Sequence, residues 1–181
     1  MSETTAVPAV PAARGETRPE DVAVETAPLV DGSNGRPFVV VGVDGSASSE
    51  AAVEWAAEEC ARRGARLVLL HVLEPVVGSV LTVESRRYRA RSVGDTVGDL
   101  WDQVNQLRDR RVDAEGQVEE GVPDRVLIMA SQDAELLVVG AEGADRHRGL
   151  LLGEVAQRCA RAAGCPVVII PPPGGRPDPT A

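Results

Sequence analysis

Three glycines towards the C-terminal end carry the pattern with the clearest chemistry. Gly140, Gly143 and Gly153 are spaced G-x2-G-x9-G. They lie between an apolar run, Leu136-Leu137-Val138-Val139, and a segment of helical character that starts at Glu154. Glycines at such a junction permit positive φ and let backbone approach a ligand closely. The free N–H groups at the start of the following helix, together with its dipole, favour an anion. This is the chemistry of a cradle for nucleotide phosphates, and it needs no lysine. The chain has no lysine: all 19 Lys-plus-Arg positions are arginine. A lysine Schiff base and a Walker-type phosphate lysine are thereby excluded.

Other reactive residues form no constellation. No Ser/His/Asp or Cys/His arrangement can be defended from spacing, so no catalytic residue is assigned. At most, slow ATP hydrolysis would follow if a nucleotide binds. His71 lies inside an apolar run and reads as a packed, hydrogen-bonded histidine. Cys60, Cys159 and Cys165 are widely spaced with no CxxC pair, and read as reduced thiols. A net charge of −9 argues against nucleic acid as a partner. No stretch is long and apolar enough to span a bilayer. The start of the chain lacks a basic region followed by an apolar one. A cytoplasmic protein is expected.

The elements that must position the glycines follow from periodicity. Residues 1–37 read as a disordered arm, with Pro8, Pro11, Pro19, Pro28 and Pro37 among Ala, Thr and Glu. The folded domain is expected over 38–172, with a flexible tail over 173–181. Phe38 to Val43 is a short apolar run suited to a strand buried on both faces. Ser48 or Ser49 then caps a helix over about 50–63, with Gly64 ending it. A second strand covers 67–72. An irregular segment with Pro75, Gly78 and the cluster Arg86, Arg87, Arg89, Arg91 is expected before a helix over about 93–111. Trp101 on that helix reads as core or interface. Residues 114–119 form a weak, polar strand near an edge. Pro123 opens a short helix at its first turn. Strand 136–140, the glycine loop, a helix from 154 to about 163 stopped by Gly164, and strand 167–170 complete the order βαβαβαβαβ. Right-handed crossovers then give an open α/β fold, a mostly parallel sheet with helices on both faces. Ligands in such sheets sit at the carboxyl ends of strands, where strand order reverses. Asp44, Val72 and Gly140 lie at or just past such ends.

At this point the chain resembles a family. Val41-Gly42-Val43-Asp44-Gly45-Ser46 is similar to the opening motif of universal stress proteins. Leu136 to Gly140, the glycine spacing and Cys165-Pro166-Val167-Val168-Ile169 are similar to the closing half. The resemblance covers about residues 38–172. It implies a five-stranded sheet of order 3-2-1-4-5 and a homodimer through the last strand, Val167, Val168, Ile169 and Ile170, with an unspecified protein partner. It implies ATP, with Mg or Mn, as the ligand of those members that bind one. Gly42, Val43 and Asp44 would meet adenosine and ribose. Val72 would present backbone to adenine. Gly140, Gly143, Gly153, Val155 and Ala156 would surround the phosphates.

Glu154 departs from that pattern, since ATP-binding members resemble G-x2-G-x9-G followed by Ser or Thr. An ionised carboxylate cannot donate to phosphate and repels it. The repulsion is about 4 kcal/mol at 4 Å with an effective dielectric constant near 20. Uncompensated, it costs roughly a thousandfold in affinity. Glu142 adds a second acid. Three offsets are open: Arg146 and Arg148 folding over phosphate with His147 nearby, a bridging divalent metal, or a Glu154 side chain that points away. The expectation is a stress-response module acting through protein interaction with weak or absent ATP binding. The alternative is a nucleotide sensor using the 140–153 loop.

Overall fold

A computed structural model describes residues 35–74, 83–143 and 152–174. Nine elements follow in chain order: β1 (Phe38–Val43), α1 (Ala47–Arg63), β2 (Arg66–Leu73), α2 (Val83–Asp109), β3 (Ala114–Glu120), α3 (Pro123–Ala130), β4 (Leu136–Gly140), α4 (Glu154–Ala162) and β5 (Val167–Ile170). The five strands form one parallel sheet of order β3-β2-β1-β4-β5. The α/β class and the strand order are those expected.

The apolar runs are continuous because both faces of the central strands are covered. On one face Val39, Val41, Leu67, Leu69 and Val138 pack with Ala52, Val53 and Ala56 of α1 and with Leu100, Val104 and Leu107 of α2. On the other, Val40, Val68, Leu70, Leu137 and Val139 pack with Val126, Leu127 and Ala130 of α3 and with Ala156 and Cys159 of α4. Small alanines let α1 approach the sheet closely. β3 is polar and lies at the sheet edge, as its composition predicts.

Several boundaries differ from the sequence reading. α1 starts at Ala47 rather than near Glu50, and its cap is Ser46, whose hydroxyl accepts from Ser49 N. α2 begins at Val83, so the arginine cluster lies inside a helix and not in an irregular segment. Charged residues there carry no apolar period, although arginine is a good helix former. Trp101 is 44% exposed and is not core. Gly64 caps α1 in the left-handed region, φ 65°. Gly164 does not cap α4: Ala163 ends that helix in extended conformation, and Gly164 N donates to Ser131 Oγ. The folded unit reaches slightly further back than Phe38, because Pro37 O accepts from Arg66 N and Arg36 pairs with Asp113. The rest of the arm, Pro75, Gly78, Arg146, His147, Arg148 and most of the tail lie outside the described residues.

Candidate functional site

The sheet order reverses between β1 and β4. The chain leaves β1 towards β2 and β3 on one side, and leaves β4 towards β5 on the other. The crossovers therefore diverge, and their first turns leave a crevice at the carboxyl ends of both strands. A cavity of about 490 Å³ occupies that crevice. Gly42, Val43, Asp44, Val72, Gly140, Gly143, Gly153, Glu154, Val155 and Ala156 all line it. These residues, all singled out in the sequence, thus line one cavity.

Part of the lining is apolar: Leu70, Val72, Pro123, Leu127 and Val139. The β2 backbone shows what Val72 offers. Arg66 N donates to Pro37 O on the β1 side and Leu67 N to Asp113 O on the β3 side. Leu73 O accepts from Gly121 N, again on the β3 side. By this alternation Val72 turns its own N–H and C=O towards β1. β1 stops pairing at Val43, opposite His71. The Val72 carbonyl is therefore directed past the end of β1, towards the cavity. His71 is held as expected, with Nδ1 2.7 Å from Val43 O.

The start of α4 also borders the cavity. Gly153 N donates to Ala141 O at 2.7 Å, and the first intrahelical bond runs from Gln157 N to Gly153 O. The N–H groups of Glu154, Val155 and Ala156 precede that bond, as at any helix start. No side chain caps this helix. Glu154 lies here with its carboxylate 76% exposed and paired with Arg158 one turn on. Arg158 Nη1 also donates to Asp124 Oδ2 at 3.1 Å. Glu154 is thus held by an arginine on α4 itself, a partner that the sequence reading did not consider.

The glycines act differently from the sequence expectation. None of Gly140, Gly143 and Gly153 has positive φ; at this end of the sheet that conformation belongs to Gly45, φ 76°. A Cβ on Gly140 would lie 2.7 Å from Ser48 Oγ and 2.9 Å from the Ser48 carbonyl carbon and Ser49 N. Gly140 is therefore required by the approach of α1, before any ligand is considered. The serines of the first loop complete the join. Ser48 Oγ donates to Glu142 O and accepts from Glu142 N at 3.3 Å, and Ser46 Oγ lies 3.2 Å from Glu142 O. Asp44 Oδ1 accepts from Ser46 N at 2.9 Å, so Asp44 shapes the turn as well as lining the cavity.

Ser46 and Ser48 in this stitching role, Pro123 and Leu127 in the apolar floor, and Arg158 with Asp124 were not read from the sequence. The Glu154–Arg158 spacing is a helical i,i+4 ion-pair signal and was available there. Ser48 and Pro123 needed the tertiary fold. Elsewhere, burial pushes the Cys60 thiol up to about 12 and the Cys159 thiol up to about 11, which makes both poor nucleophiles. Among the described residues no group of three or more His, Cys, Asp or Glu is placed to hold a metal ion. No helix among them is long and apolar enough to cross a membrane.

A doubly wound parallel sheet with a cavity at its reversal point places the chain in the class of open α/β proteins with a switch-point crevice. Residues 38–171 match the universal stress protein family, and the chain belongs to that family. A universal stress protein of Mycolicibacterium smegmatis is 34% identical over 139 residues, covering 74% of this chain and 45% of the relative. The chain spans about half the length of the curated relatives it matches. Among solved structures, a universal stress protein in complex with cAMP is 28% identical, with a TM-score of 0.54, covering 76% of this chain and 98% of the other. A family protein from Arabidopsis thaliana with AMP bound is 25% identical, with a TM-score of 0.55, covering 80% and 97%.

Proposed function

We propose that this chain is a stress-response module that holds an adenine nucleotide in the β1/β4 cavity, with one phosphate preferred to three. The observation that carries the reading is the mixed lining of that cavity. Its apolar residues suit a base, and the uncapped start of α4 that borders it suits an anion. Gly42, Val43 and Asp44 also line the cavity, and the reading gives them the ribose. The Val72 carbonyl is an acceptor for an exocyclic amine. A cavity of about 490 Å³ is within the range of small-molecule sites. The family proteins with AMP and cAMP support a ligand of this class. Glu154 and Glu142 both border the cavity and disfavour each further phosphate charge. The reading assigns the protein no metal ligands; Mg or Mn would enter with ATP.

Thermal melting tests this directly. AMP at about a hundred times its Kd stabilises by about 2.7 kcal/mol. For a domain of this size that is a Tm rise of roughly 5–10 °C. ATP with Mg or Mn gives a smaller rise at the same concentration. No shift with millimolar AMP would sink the proposal.

A second reading rests on a separate observation. All four residues of β5 are apolar and only half-buried, and among the described residues β5 pairs with β4 alone. An open apolar edge favours pairing with another chain. On this reading the module acts as a homodimer through Val167, Val168, Ile169 and Ile170, with or without nucleotide.

A further inference from the structure

α4 begins with a carboxylate that opposes phosphate, and the same helix carries an offsetting charge one turn later. Cα–Cβ bonds in a helix tilt towards its N-terminus, so Arg158 reaches back to the first turn. There one guanidinium bridges two carboxylates, Nη1 to Asp124 at 3.1 Å and Nη2 to Glu154. Asp124 lies in the first turn of α3, and its side chain is only 10% exposed. The Glu154 side chain is 76% exposed. Arg158 is therefore anchored at a buried end and holds the exposed acid at the other. The starts of both helices border the cavity through Pro123 and Glu154.

We propose that Arg158 is the residue that admits a phosphate group at the start of α4. It neutralises Glu154 and draws the carboxylate along the helix, which leaves the N–H groups of Val155 and Ala156 to one phosphate. Asp124 acts through Arg158 as a positioning residue. A planar guanidinium with five donors can hold both acids in a fixed fork, which an ammonium cannot do. The inference rests on the adenine-nucleotide reading and names the residue that sets its phosphate selectivity.

Calorimetric titration of the full chain with adenosine and with AMP tests it, using wild type, R158Q, E154S and E154S/R158Q. Adenosine keeps the base and sugar and lacks the charge. R158Q weakens AMP about tenfold, well below the thousandfold of a close unscreened acid, because the Glu154 side chain is 76% exposed to solvent. It leaves adenosine within about twofold. Adding E154S to R158Q restores AMP to near the wild-type value, because the unpaired acid is gone. Equal loss of both ligands in R158Q without rescue would show that Arg158 only ties α3 to α4, and overturns the proposal. Unchanged AMP binding in R158Q also overturns it. In both of those cases wild type still binds, so the nucleotide reading stands. If wild type binds neither ligand, that reading falls and this inference falls with it. Should R158Q fail to fold, R158K, which keeps the charge and loses the fork, weakens AMP by an intermediate factor and again spares adenosine.

Discussion

Glu119 shows how far a single residue departs from what its type suggests. It sits on β3 opposite Val72, in a strand that reads as polar and exposed, yet it is buried. Burial pushes its carboxyl above the usual range, opposed in part by the Gln117 amide, which donates to it at 3.1 Å. A carboxyl raised in the folded state favours folding in its protonated form. That contribution is complete below the unfolded value of about 4.3 and is lost as pH rises through the folded value. At neutral pH the buried charge is a cost. Glu119→Gln keeps the shape and removes the charge. We expect its Tm to exceed that of wild type by about 1–3 °C at pH 7, with the advantage gone at pH 4. A Tm difference that ignores pH would refute the assignment. The sequence showed Glu119 only as one of several acids on a weak strand. Its burial depends on which side of the sheet edge it faces, and that is a tertiary property.

The join between α1 and the β4 exit is decided at the scale of elements. Strand and helix were both legible, β1 and β4 from short apolar runs and α1 from its alanine spacing. Their distance of approach was not. Gly140 looked like a ligand-facing glycine, and the structure gives it a packing reason first: α1 passes where its Cβ would be. Gly143 has more room, with its nearest contact 3.4 Å from Asp44 Oδ2. Gly140→Ala forces the helix start away from the sheet and should destabilise by about 1–3 kcal/mol, as overpacking does. Gly143→Ala should stay within about 1 kcal/mol of wild type. Urea unfolding of the two variants checks the contrast, and equal midpoints would remove the packing account. α2 teaches the complementary lesson. Its first turns are too charged to show a period, so the sequence reading began it ten residues late, at Val93 instead of Val83.

For the whole molecule, the open question is what covers β5. Its apolar residues pack one face against each core, and among the described residues its other edge pairs with no strand. If a second copy covers it, charged substitutions at Val168 and Ile170 should lower the mass seen by light scattering to that of one 19.0 kDa chain. Circular dichroism confirms that the variant folds. An unchanged dimer mass would reject β5 as the interface.

The order of elements and the parallel sheet were readable from the sequence alone, because they depend on local runs, turn residues and the rule that crossovers are right-handed. Asp44, Val72 and Gly140 pointed to a ligand because strand ends are where ligands sit in such sheets, and the other site residues followed from the family resemblance. The tertiary structure decided what each of them does there. Gly140 makes room for α1, and Ser46 and Ser48 tie the two loops together. Arg158 reaches from α4 to Asp124 on α3 and holds Glu154. Contacts between elements distant in sequence leave no local period, and so they are not written in any one stretch of the chain.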